Sequence, residues 1–160
     1  LVCTGVELET EELAKQGVRV LIIGERSRFS DKVKAALNRI ESNTAHGQTM
    51  TLILALNYSS RSEIVVAVRD LAEKVASGVL KAEQIDEQMI SSALYTAQIP
   101  DPDLIIRTSG ECRLSNFLMW QASYSEFYFT DVLWPDFNKE ELDKALDAYA
   151  QRDRRYGLVK

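Results

Sequence analysis

The sequence predicts an α/β fold with a mainly parallel central sheet flanked by helices. Three observations predict it. Apolar runs of the kind that fill buried parallel strands recur along the chain: VRVLIIG at 18–24, MTLILALNY at 50–58, and a shorter run at 103–107. Between them lie segments whose apolar residues fall three and four apart, the spacing of a helix with one buried face. Strand and helix patterns alternate, as they do when helices cross between parallel strands. With 160 residues, no linker and no internal repeat, residues 1–160 read as a single domain.

The elements follow in order. Residues 6–16 read as a helix with Val6, Leu8 and Leu13 as apolar points and no clear cap. The strand 18–24 is β-branched and closes on Gly24. Ser30 suits the cap of a helix running to about Ser42, with Val33, Leu37 and Ile40 on one stripe. Gly47 breaks the chain before the strand 50–58. Ser60 and Glu63 have the spacing of a capping box, opening a helix over 61–77 whose stripe is Ile64, Val68, Leu71 and Val75. Gln84 to Ala93 reads as a further helix. Pro100 and Pro102 impose an extended entry to the strand 103–107. A short helix around 115–122 leads into EFYFTDVLW, whose first half reads as a strand. Asn138 and Glu141 resemble a second capping box, before a helix to about Arg154 that turns Leu142, Leu146 and Tyr149 inward.

Bulk properties narrow the function classes. The apolar fraction of 46% and charged fraction of 27% are those of a globular chain with a real core. A net charge of −5 argues against nucleic acid as the main partner, while leaving room for a local basic pocket. No apolar run has the length of a transmembrane segment, and no signal peptide is recognisable. Cys3 and Cys112 make no disulfide framework and read as reduced thiols of an intracellular compartment. Cys112 lies among arginines, but His46 is the only histidine and sits in a turn-like Ala-His-Gly stretch, so a bystander thiol is the simpler reading. The same scarcity argues against a Cys/His zinc site. No glycine-rich phosphate loop ending in Lys-Ser or Lys-Thr and no dinucleotide fingerprint is present.

The most informative stretch is DLIIRTSGECRLSN, residues 103–116. Its apolar run ends at Arg107, and Thr108, Ser109, Arg113 and Ser115 follow closely. Ligands of open α/β sheets bind beyond the carboxyl ends of the strands. Arg makes bidentate, charge-assisted bonds to phosphate oxygens. The stretch therefore reads either as a seat for a phosphate or diphosphate, or as a polar loop with one surface ion pair. Asn57 follows the strand 50–58 as Arg107 follows its own, which on parallel strands brings both to one sheet edge. Arg26, Arg28 and Arg61 read as solvated loop charge. Glu126 opens the aromatic strand Phe127-Tyr128-Phe129. It is either a ligand for Mg²⁺, which takes oxygen donors and substrate phosphates, or a strand-end carboxylate facing water or an arginine. The aromatic residues from Phe127 to Phe137 suit a core or an interface.

Taken together, GVRVLIIGERSRF, LNYSSRSEI, PDLIIRTSGECRLSNFLMWQ, YSEFYFTDVLWPDF and the tail RDRRYG resemble the cis-prenyltransferases, the undecaprenyl diphosphate synthase family. The likeness covers the chain from about Gly17 onward, and the third and fourth segments in this order are specific. The resemblance implies a transferase of isoprenoid biosynthesis. An allylic diphosphate ionises, isopentenyl diphosphate attacks, and a double bond of Z geometry forms, with Mg²⁺ assisting loss of pyrophosphate. It implies that Arg107, Arg113 and Ser115 hold isopentenyl diphosphate, that Glu126 helps place Mg²⁺, and that Asn57 lies near the reacting groups. It also implies a homodimer in which Arg155 and Gly157 complete the partner's site. The product would grow in an apolar tunnel, and peripheral membrane contact would come only through that lipid.

Members of that family begin with a strand ending in Met-Asp-Gly-Asn, whose loop binds the allylic diphosphate. These 160 residues contain no such segment, so the resemblance implies the carboxyl-terminal portion of such an enzyme, an incomplete sheet, and no turnover by this portion alone. The alternative within the resemblance is a non-catalytic subunit of a heteromeric cis-prenyltransferase; the intact Arg107, Glu111, Arg113 and Ser115 favour the catalytic type. An unrelated phosphate-binding module would leave the WPDF segment and the tail without explanation. The implied compartment is the cytoplasm, with a plastid stroma as the alternative.

Overall fold

A computed structural model describes residues 2–152, with side chains from residue 9 onward. The order is α1 (Val2–Lys15), β1 (Val18–Ile23), α2 (Asp31–Thr44), β2 (Met50–Ala55), α3 (Ser60–Ala76), α4 (Glu87–Ala93), β3 (Leu104–Arg107), β4 (Glu126–Phe129) and α5 (Lys139–Ala150). Both strand ladders are parallel, β1 with β2 and β3 with β4. The α/β class is as the apolar runs predicted. The ladders are two separate two-stranded sheets, not one central sheet. The chain divides into two compact units between Tyr95 and Thr96.

In the first unit β1 and β2 pair from Val18 opposite Met50 to Ile23 opposite Ala55, and α2 makes the crossover that a parallel pair requires. Val20, Ile22, Ala36, Leu37 and Ile40 form the core, with Leu13, Val33, Leu52 and Leu54 packed against it. The stripe read from α2 is thus its buried face. α2 also closes the other edge of β1. The Val20 N–H donates to Thr44 Oγ1 at 3.0 Å, and the Ile22 N–H to Glu41 Oε1 at 3.0 Å. Alternate N–H groups of a parallel strand point away from its neighbour, so these two are satisfied by helix side chains where a further strand would otherwise bond. Gly24 ends β1 at φ 116°, where a Cβ would lie 2.1 Å from the Leu56 carbonyl oxygen. Only glycine permits that conformation and that approach.

The Ser60/Glu63 capping box is not formed. Ser59 is the N-cap of α3, its side chain accepting from the Ser62 N–H, and Ser60 is the first helical residue. The buried stripe of α3 is Ser60, Glu63, Ala67 and Leu71, while Val68 is 52% exposed. Of the stripe that hydrophobicity predicted, Leu71 is buried while Ile64 and Val75 are half-buried. The predicted helix over 84–93 begins later, at Glu87, where the Asp86 side chain accepts from the Met89 N–H at 2.8 Å.

In the second unit β3 and β4 pair from Leu104 opposite Glu126 to Arg107 opposite Phe129. The predicted helix at 115–122 is absent. Ser115, Asn116 and Leu118 have φ of 49°, 64° and 46°, left-handed values that a right-handed helix does not contain, and the only helical turn there is Gln121–Tyr124. α5 opens as expected, with Asn138 Oδ1 accepting from the Glu141 N–H at 3.1 Å. The Glu141 carboxylate bonds Lys144 instead of returning to the cap. Among the described residues no helix is long and apolar enough to cross a membrane.

Candidate functional site

The register of β3 and β4 builds one candidate site directly. Side chains alternate across a strand, so Ile105 and Arg107 of β3 share a face with their partners Phe127 and Phe129 of β4. The two phenylalanine rings stack with centroids 5.9 Å apart. Beyond the strand ends, the pairing continues into the loop. The Thr130 N–H donates to the Arg107 carbonyl at 3.0 Å, the Gly110 N–H to the Thr130 carbonyl at 2.9 Å, and the Ser109 N–H to the Val132 carbonyl at 2.9 Å. These bonds hold Ser109 and Gly110, both at φ 69°. Left-handed residues persist only where the surroundings fix them, and they gather at ligand sites.

The loop closes on Arg107. One guanidinium nitrogen of Arg107 donates to the backbone carbonyl of Arg113 at 2.5 Å. Arg113 itself is exposed and forms an ion pair with Glu111. A cavity of about 290 Å³ lies against this loop, its lining combining the polar Arg107, Thr108, Arg113 and Ser115 with the apolar Ile105, Phe117, Phe127 and Phe129. Arg107, Arg113 and Ser115, the residues that the resemblance assigns to the anion seat, thus line one cavity with Thr108, while Ser109 is not part of its lining. The ion pair that the simpler reading expected is present as well, between Arg113 and Glu111. Cys112 is exposed, with Sγ 4.0 Å from the Gly110 carbonyl oxygen, and His46 is exposed in the turn after α2. Phe117 and the alternating Phe127 and Phe129 are lining residues that sequence reasoning did not assign. The period-two spacing of Phe127 and Phe129 was the available signal.

Glu126 is not brought to this cavity. It stands level with Leu104 at the amino end of the ladder, three positions from the level of Arg107, and on the face of Tyr128, opposite to Phe127 and Phe129. Its Oε2 accepts from Arg152 at 2.9 Å, and Arg152 also donates to the Phe127 carbonyl at 3.0 Å. This is the arginine pairing that the sequence left open as the alternative to a metal site. Among the described residues no three His, Cys, Asp or Glu side chains gather as metal ligands. As placed, these residues do not fit an ion shared between Glu126 and the arginine loop. Arg155 and Gly157 lie outside the described residues.

Asn57 belongs to the first unit, where it follows β2 at φ 49°. Its Nδ2 donates to the Glu25 carbonyl at 2.9 Å, and its own carbonyl accepts from the Glu25 N–H at 3.3 Å. Arg26, read as solvated loop charge, is instead an anchor. It donates to both Glu41 oxygens, at 2.6 and 2.8 Å, and to the Ile22 carbonyl at 2.8 Å. The bond to Glu41 raises the Arg26 pKa above its ordinary value. Bonds from Ser27 hold the exposed Glu25 carboxyl below the usual range. Burial, reinforced by the charges of Glu25 and Glu63, raises the Tyr95 phenol.

The family model described as "Putative undecaprenyl diphosphate synthase" matches residues 2–157. The chain belongs to the undecaprenyl diphosphate synthase family. Within it, the chain is 51% identical over 154 residues to an isoprenyl transferase of Brucella abortus, covering 96% of this chain and 61% of that protein. It is 49% identical over 149 residues to the (2E,6E)-farnesyl-diphosphate-specific ditrans,polycis-undecaprenyl-diphosphate synthase of Xylella fastidiosa, covering 93% of this chain and 58% of that protein. Lavandulyl diphosphate synthase from Lavandula x intermedia, solved with dimethylallyl diphosphate, superposes with a TM-score of 0.94 at 37% identity, over 98% of this chain and 68% of that one. The chain spans about three fifths of the length of these two curated relatives. Proteins of this family are prenyl diphosphate synthases, which act on diphosphates and generally need a divalent metal.

Proposed function

We propose that the polypeptide carrying these residues is a cis-prenyltransferase. It condenses isopentenyl diphosphate with an allylic diphosphate to give a Z-polyprenyl diphosphate. The observation that carries the reading is the cavity at the end of β3, whose lining combines Arg107, Arg113 and Ser115 with Ile105, Phe117 and Phe127. A small ligand with a doubly charged head and a five-carbon apolar body matches that mixed lining. In the reaction, the allylic carbon–oxygen bond breaks and pyrophosphate leaves, and the isopentenyl double bond supplies the electrons of the new carbon–carbon bond. A proton lost from the adjacent methylene to pyrophosphate or water leaves the new Z double bond. The protein's part is electrostatic: fixed guanidinium and hydroxyl groups hold charged oxygens where they need not reorganise. Asn57 is assigned to the neighbourhood of the reacting groups.

Mg²⁺ is the metal we assign, since diphosphate oxygens with one or two carboxylates suit it. The resemblance assigns Glu126 to that metal, but Glu126 as placed is held by Arg152 at the far end of the ladder from the arginine loop, so no part of the reaction is routed through it. The reading takes residues 1–160 as part of a single catalytic domain. It also takes a homodimer, in which Arg155 and Gly157 reach the partner's site, and the cytoplasm as the compartment. The likeness to isoprenyl transferases and the intact arginine loop support the catalytic reading; the dimer and the compartment follow from the resemblance alone.

The test is Arg113→Ala in the polypeptide that carries this chain. Loss of one charge-assisted contact, worth about 1.5–3 kcal/mol, raises the KM for isopentenyl diphosphate by roughly 10- to 150-fold. An unchanged KM would remove the seat.

A further inference from the structure

Glu63 is among the largest fully buried side chains of the protein, at 1% exposure. A buried carboxylate is costly unless its oxygens are bonded. Its Oε2 accepts from the Tyr58 hydroxyl at 2.5 Å, and its Oε1 from the Tyr95 N–H at 2.8 Å. One carboxylate therefore ties the residue after Asn57 to the chain just past α4.

The other flank of Asn57 is tied just as firmly. The β1–β2 pairing runs on through the Leu56 N–H to the Ile23 carbonyl at 2.9 Å, and through both Glu25 bonds to Asn57. The Glu41–Arg26 fork anchors the loop that carries Glu25. Asn57 thus sits at φ 49° between two anchored neighbours. A left-handed asparagine is uncommon, and its side chain points where its anchored neighbours set the turn. The anchor on the far side of Asn57 is Tyr58 on Glu63.

We propose that Glu63 is a positioning residue: by holding the Tyr58 hydroxyl it fixes the left-handed turn at Asn57, and so aims the Asn57 side chain. The inference rests on the reading of Asn57 as a group near the reacting atoms. It concerns the chemical step, because the arginine loop that seats the diphosphate is built separately, from β3 and β4. Misplacement of a reacting geometry by about 1 Å costs up to ~100-fold in rate.

The test uses Tyr58→Phe, which removes one hydroxyl and leaves the ring, in the polypeptide that carries this chain. The expected result is a kcat lowered roughly tenfold with the KM for isopentenyl diphosphate within about twofold. Glu63→Gln shows the same split. In an Asn57→Ala background the Tyr58→Phe penalty disappears, because a positioning residue has nothing left to aim. A merely structural role would give the same penalty in both backgrounds. If Asn57→Ala lowers kcat while Tyr58→Phe does not, or if the two penalties add, the positioning role is overturned and Asn57 stands. If Asn57→Ala leaves kcat unchanged, the Asn57 assignment and the positioning role fall together. If Glu63→Gln does not fold, Tyr58→Phe decides alone.

Discussion

The Arg107 side chain donates to the backbone carbonyl of Arg113 at 2.5 Å, so one arginine of the loop holds the main chain of the other. The two are not equivalent. Arg107 ends a strand, is half-buried and shapes the loop; Arg113 is exposed and paired with Glu111. The loop depends on a planar, multi-donor side chain at position 107, which can hold the carbonyl with one nitrogen and offer others to a ligand.

Arg107→Lys keeps the charge and loses the fork. It is expected to raise the KM for isopentenyl diphosphate roughly tenfold or more, as a lost charge-assisted bond does. Steady-state kinetics at varied isopentenyl diphosphate checks this; a KM within twofold of the unmutated protein would show that position 107 contributes charge alone.

Arg113→Ala separates binding from folding. A surface ion pair is worth little, so its unfolding midpoint is expected to stay within about 2 °C while its KM rises. A large drop in the midpoint by differential scanning calorimetry would recast Arg113 as structural.

The strands, and the strand-end position of Arg107, were legible because their signals are local. An apolar run such as VRVLII reports its own burial, and arginines just past LIIR follow a strand end in sequence as in space. What was not legible depends on distant partners. Arg26 read as loop charge because Glu41 lies 15 residues away. Glu63 read as half of a cap because its partner at Tyr95 lies 32 residues away. The segment 115–122 read as a helix from its composition, yet Ser115, Asn116 and Leu118 turn left-handed. Glu126 kept two readings until the register placed it at the far end of the ladder from Arg107, on Arg152.

Leu37 is fully buried in the core beneath β1. Leu37→Ala removes buried methyl groups and leaves a cavity, at a cost of about 2–5 kcal/mol. Denaturant unfolding is expected to show a midpoint well below that of the unmutated protein; a change under about 0.5 kcal/mol would contradict the packing of α2 on β1.

Thr44 serves the strand edge rather than the helix. Its hydroxyl donates to the Ile40 carbonyl at 2.7 Å and accepts from the Val20 N–H at 3.0 Å. Thr44→Val keeps the shape and orphans a buried N–H, costing about 1–3 kcal/mol. Thr44→Ser keeps the hydroxyl and is expected to cost less. Equal unfolding midpoints for Thr44→Val and the unmutated protein would mean that the edge of β1 is closed in another way.

The central claim is that this sequence belongs to a polypeptide that makes Z-prenyl bonds from isopentenyl diphosphate. The most direct measurement supplies that polypeptide with labelled isopentenyl diphosphate, Mg²⁺ and a series of allylic diphosphate primers, and analyses the extracted lipid. The account predicts labelled polyprenyl diphosphate whose new double bonds are Z, and its loss in Arg113→Ala at low isopentenyl diphosphate. No label in the lipid with any primer, or new double bonds of E geometry, would contradict it.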